Sequence, residues 1–128
     1  MLTTVQDGAQ AGAAEAFEGP AQLGYGENDE ATVIPFGPAS DKWVSSYFRR
    51  RFAVASTNGI QSLTLRLKRD DGAIVYVNGR EAVRNSIRAG EVLASTPGDT
   101  ASDDGKDFQL LSIAPGLLAK GTNVVAVE

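Results

Sequence analysis

The chain has 128 residues, 42% hydrophobic and 22% charged, with a net charge of −4, which suits one domain burying roughly two-thirds of its unfolded surface. It contains no cysteine and no histidine, which excludes disulfide frameworks, thiolate metal sites, thiol nucleophiles and histidine-based triads. No apolar run approaches the roughly 20 residues of a membrane helix, and the first residues have neither the basic nor the apolar region of a signal peptide.

The charge is patterned. Residues 1–42 carry seven acids and one base, residues 43–90 nine bases and three acids, and residues 91–128 six acids and two bases. The simpler expectation is that acidic flanks fold over a basic middle. The functional alternative is a basic face for an anionic ligand, such as an acidic polysaccharide or nucleic acid. The scatter of the charges and the acidic balance favour the first and disfavour nucleic acid.

Residues 1–18 are rich in Ala, Gly, Gln and Glu and read as an irregular arm, with a weak helical turn over 9–17 and Phe17 as its anchor. One domain is expected over 19–128. In 20–40, Gly24-Tyr25-Gly26 forces a loop, and 31–35 reads as a short edge strand because Pro35 cannot donate to a ladder. Glu27, Asp29 and Glu30 cluster there. Oxygen clusters suit calcium, so these three are the candidate metal ligands, although their spacing matches no EF-hand and acidic loops are usually just solvated. Trp43, Tyr25 and Tyr47 are the aromatic residues on which a sugar ring would stack; for the lone tryptophan, plain packing is the commoner role.

Residues 47–54 alternate as a strand. Phe48, Phe52 and Val54 share one face; Tyr47, Arg49 and Arg51 share the other. Arg50 falls on the apolar face between two phenylalanines, where it either snorkels to water or reaches a ligand. In 62–68, Leu63, Leu65 and Leu67 oppose Thr64, Arg66 and Lys68, the pattern of a half-buried strand. Asp70-Asp71-Gly72 is a turn signal. A strand over 73–77 follows, then Asn78-Gly79 and another strand over 80–84. Asn-Gly between strand-like runs predicts a two-residue hairpin, since a type I′ turn needs positive φ at both central positions.

Beyond the hairpin, 87–94 reads as a further short strand. The acidic stretch 95–107 reads as the longest loop, either mobile or holding an ion, with mobility favoured. Residues 108–113 alternate weakly, with Phe108 and Leu110 on one face. Leu117-Leu118 cover the core in a short helical turn. The final NVVAVE, 123–128, is apolar on both faces and reads as a central strand that ends as if cut inside the element. Regular short strands with little helix indicate an all-β fold, an antiparallel β-sandwich.

The blocks LGYG, YFRR, DDG followed by VNG, and GTNVVAVE, in that order over 19–128, resemble the galactose-binding-like β-sandwich (jelly-roll) modules attached to bacterial secreted hydrolases and metallophosphoesterases. The resemblance implies a non-catalytic accessory module, extracellular or on the cell surface, that binds carbohydrate, with a structural calcium in many members. The resemblance itself fixes no ligand residue; for a carbohydrate-binding module, Tyr25, Trp43 and Tyr47, with Arg49 or Arg50, would supply the stacking and hydrogen bonds. Such modules begin with a further strand ahead of the LGYG block, which the N-terminal arm does not resemble. The sandwich is therefore expected to lack a terminal strand, or to take it from a neighbour. The alternative role is a structural domain that packs on an adjacent domain or self-associates through an open sheet edge. An enzyme is the least expected reading, because no pair of acids has a recognisable catalytic setting.

Overall fold

The computed structural model describes the backbone of residues 2–5, 16–26 and 28–128, and side chains from Glu18 onward except at position 27. Strands β1 (Leu2–Val5), β2 (Ala16–Gly19), β3 (Leu23–Gly24), β4 (Thr32–Val33) and β5 (Tyr47–Val54) are followed by β6 (Leu63–Leu67), β7 (Ala73–Val77), β8 (Arg80–Asn85), β9 (Gln109–Ile113) and β10 (Gly121–Val127). A 3₁₀ turn over Pro115–Leu117 precedes β10. Six strands form one antiparallel sheet in the order β2-β1-β5-β10-β7-β8. β6 pairs antiparallel with β9, and β3 pairs parallel with β4. The chain is thus an all-β sandwich.

The core centres on β7. Ile74 and Val75 are both 0% exposed. Adjacent strand residues face opposite sides, so both faces of the large sheet are covered here, and each such side chain contributes about 2 kcal/mol of burial. The β6–β9 layer covers the Val75 side. Asn85 shares that side by register with Val83 and Val75, and Arg69, just past β6, donates to Asn85 Oδ1 at 2.5 Å. Leu63, Leu65 and Leu67 face inward as the alternation predicts. Arg50, on the same side of β5, is exposed, so this layer leaves the β5 end of the face open.

Two networks hold the ends of β7. At its C-terminal end lies the expected hairpin, with Asn78 at φ 53° and Gly79 at φ 77°. Asn78 also acts as an extra rung of the ladder. Its backbone N–H donates to Val124 O at 2.8 Å, and Val124 N–H donates to its Oδ1 at 2.9 Å. Its Nδ2 donates to Leu117 O at 2.9 Å and to Asn123 Oδ1 at 2.8 Å. Asn123, fully buried, donates to Ala119 O and Gly121 O and accepts from Ala119 N–H. At the other end, Arg69 also pairs with Asp103 at 2.6 Å, and Asp103 accepts from Asp107 N–H and Gln109 Nε2.

Several expectations need correction. Within 1–18, the described residues 2–5 and 16–18 are not irregular: β1 and β2 form the far edge of the large sheet, with Thr3 opposite Arg49 and Val5 opposite Tyr47. A strand outside β5, expected to be missing, is therefore supplied by the chain itself: Leu2–Val5, with three β-branched residues in four, pairs antiparallel with β5. Residues 9–15, in the expected helical turn, and the Phe17 side chain lie outside the described residues. No strand forms over 87–94, because β8 ends at Asn85 and the chain leaves the sheet. The loop that follows, expected to be mobile, is seated: Asp99 N–H donates to Ser86 O, Ser45 Oγ donates to Ala94 O, and Thr96 and Ala101 are buried. The turn expected at Asp70-Asp71-Gly72 does form, with Asp71 at φ 59°, and it carries the chain from β6 in one layer to β7 in the other.

Candidate functional site

The face of the large sheet opposite the β6–β9 layer is covered at Ile74 and open over β5, where Arg49 and Arg51 are exposed. Cross-strand register places Arg49, Ala126 and Tyr76 in one row over β5, β10 and β7. Tyr47 and Glu128 stand in the next row, at the end of the sheet where β5 begins. Small Ala126 lies between larger side chains, so the surface dips there. The result is a depression of about 260 Å³ lined by Tyr47, Phe48, Arg49, Tyr76, Ala126, Val127 and Glu128.

The polar groups of this depression are mutually arranged. Tyr47 Oη donates to Glu128 Oε1 at 3.2 Å. Partial burial, with the charges of Glu128 and Glu81, pushes the Tyr76 hydroxyl above its ordinary range, while Arg84 opposes them. Arg84 and Glu81 form a two-pronged pair at 2.6 and 2.9 Å beside it. That hydrogen bonding draws Glu81 below its usual carboxylate range and raises Arg84. Arg49 makes no ion pair among the described residues. Such a surface can stack a ring on tyrosine and exchange hydrogen bonds in both directions.

The sequence-predicted residues divide among several places. Tyr47 and Arg49 line the depression. Arg50 projects from the other face of β5, opposite Val125. Tyr25 and Trp43 belong to a loop cluster: the Tyr25 and Phe36 ring centroids are 4.7 Å apart, with Lys42 Nζ 5.0 and 5.1 Å from them. The Trp43 indole lies against Gly37, where an added Cβ would come within 3.0 Å of Nε1. Trp43 stays 38% exposed, a rim residue.

Among the metal candidates, Asp29 holds Lys68 at 3.0 Å and accepts from Gln22 Nε2, so its oxygens are already engaged. Glu30 lies against Gly24, and Glu27 lies outside the described residues. No group of three acids suited to a metal occurs among the described residues. Lys68–Asp29 and Arg69–Asp103 each join the basic middle to an acidic flank.

Tyr76, Glu81, Arg84 and Glu128 were missed from sequence. Strand alternation within AIVYV already sets Tyr76 apart from Val75 and Val77. What it withholds is that β10 brings Tyr76 beside Arg49.

No protein-family model and no curated protein sequence matches the chain. Among solved structures, a beta-glucuronidase from an uncultured Clostridium sp. is similar at 21% identity and a TM-score of 0.40, over 64% of this chain and 11% of that one. The chain therefore spans about a tenth of that enzyme's length, and a likeness at this level carries no functional weight.

Proposed function

We propose that the chain is a non-catalytic accessory module of the galactose-binding-like jelly-roll kind, belonging to a larger secreted or surface protein and binding carbohydrate in the depression of the large sheet. The carrying observation is the row Arg49–Ala126–Tyr76 with Tyr47 and Glu128 beside it. It combines two aromatic rings, a shallow floor, and donors and acceptors at the rim, the arrangement a polyol with an apolar ring face requires. Arg49 and Arg84 are matched by Glu81 and Glu128, which favours a neutral glycan over an anionic polysaccharide. Calorimetric titration with neutral and uronic-acid oligosaccharides, in calcium and again in chelator, tests this. Binding of neutral glycans that Tyr76→Ala and Tyr47→Ala both weaken by at least about tenfold is the expected result. Absence of binding at millimolar glycan sinks the reading, and the chelator arm tests a structural calcium.

A second reading, a domain that docks on a neighbouring domain or on another copy, is supported by the outer face of β9. Leu110 is 69% and Phe108 55% exposed there, with the Arg66 guanidinium 4.5 Å from the Phe108 ring centroid. Apolar surface left exposed in this way is what a docking face would bury. A mass by light scattering that stays monomeric over a wide concentration range removes the self-association version.

A further inference from the structure

The chain contains two Asn-Gly pairs, Asn58-Gly59 and Asn78-Gly79, and the fold treats them in opposite ways. Asn-Gly is the dipeptide most prone to deamidation, because glycine leaves its own amide nitrogen unhindered. That nitrogen attacks the asparagine Cγ, the Cγ–Nδ2 bond breaks and ammonia leaves. Water then opens the succinimide to aspartate or isoaspartate. The reaction needs an asparagine side chain that can swing onto the following amide.

Asn58 meets that condition. It lies exposed beyond β5, and among the described residues its backbone N–H donates to Ser56 Oγ while its side-chain amide makes no hydrogen bond; a Cβ at either glycine would meet nothing within 4 Å, so the asparagine side chains alone separate the two sites. Asn78 does not. All of its amide is committed: Nδ2 to Leu117 O and Asn123 Oδ1, and Oδ1 to Val124 N–H. For Cγ to reach Gly79 N, these three bonds must break together and β10 must part from the hairpin. The product would also fit badly. A carboxylate at position 78 sets an acceptor against two acceptors, Leu117 O and Asn123 Oδ1, where the amide had been a donor to both.

We propose that Asn58 and Asn78 are deamidation sites of opposite access: Asn58 open in the folded protein, and Asn78 closed by the β7–β8–β10 junction and opened only by unfolding, after which its modification prevents the native junction from re-forming. Unfolding that outlasts the reaction would then be irreversible for a chemical reason.

The experiment is peptide mapping by mass spectrometry, following the gain of about one dalton at each site during incubation at mildly alkaline pH, with and without denaturing urea. In urea the two sites should react at similar rates. In the folded protein Asn58 should keep reacting while Asn78 slows at least about tenfold relative to it, as a site that reacts only through rare opening does. Equal rates at the two sites in the folded protein would overturn the proposal. The Asn78→Asp variant stands in for the product and should unfold at a lower temperature than wild type, or fail to fold. An unchanged midpoint would overturn the claim that modification prevents the junction from re-forming.

Discussion

The two ends of β7 do the same job with different chemistry. At the hairpin end, neutral amides do the holding: Asn78 and Asn123 link the turn, β10 and the 3₁₀ turn through hydrogen bonds of 2.7–3.1 Å, and Asn123 has no exposed surface. At the opposite end, a charged pair does the holding: Arg69 gathers Asn85 and Asp103, and its side chain is only 8% exposed. An amide network answers to neither pH nor salt, whereas an ion pair answers to pH and, where water reaches it, to salt. One sheet therefore carries one end that ignores solution conditions and one that responds to them.

The largest effect should come from Asn123→Ala. It removes both donors and the acceptor that Ala119, Gly121 and Asn78 use, from a side chain that is itself fully buried, and should cost about 3 kcal/mol by urea denaturation. The loss should be the same at pH 7 and pH 4 within about 0.5 kcal/mol, because no ionisable group is involved.

Asp103→Asn should lower the unfolding midpoint less, since the amide keeps one oxygen for Arg69 while losing the charge. Its hydrogen bond from Arg69, above all, holds the Asp103 carboxyl below its ordinary value. A lowered native pKa contributes stability that is complete above the ordinary carboxylate range of about 4 and is lost as acid protonates the group. The gap between wild type and Asp103→Asn should therefore be constant near neutrality and close on acidification below about 4. A gap that persists into strong acid would mean that shape, not charge, secures this end.

The smallest effect should come from Lys106→Ala. Lys106 and Asp104 are both 69% exposed, although they stand in the same loop as Asp103 at 2.8 Å. Exposed pairs contribute little, so the midpoint should stay within error of wild type. A clear drop would show that the ionic end depends on the whole loop rather than on Arg69 and Asp103.

What could be read from the sequence followed local chemistry. Asn78-Gly79 announced its turn, Leu63, Leu65 and Leu67 their inward face, and NVVAVE its central place between β5 and β7. What could not be read depends on distant partners. LTTV and AFEG are four residues each, too short to announce themselves, and are strands because LTTV pairs with AFEG on one side and with β5 on the other. The acidic loop reads as mobile because nothing local says that Arg69 waits for Asp103. Asn78 shows only its turn geometry in the sequence, since its bonds to Leu117, Asn123 and Val124 arise from the fold. The candidate site was half visible for the same reason: Tyr47 and Arg49 share a strand, and Tyr76 joins them only across β10.

The position of β10 sets the order of assembly. It follows the other five strands of the large sheet in sequence and is the one that joins β1, β2 and β5 to β7 and β8. During synthesis the two halves of the large sheet must therefore wait, each with an unpaired inner edge, until Gly121–Val127 leaves the ribosome. The edge of β7, with Ile74 and Val75 not yet covered, is the most adhesive surface in that interval. Late closure of this kind gives a slow, long-range folding step, and it makes the nascent chain rather than the finished domain the form most exposed to aggregation.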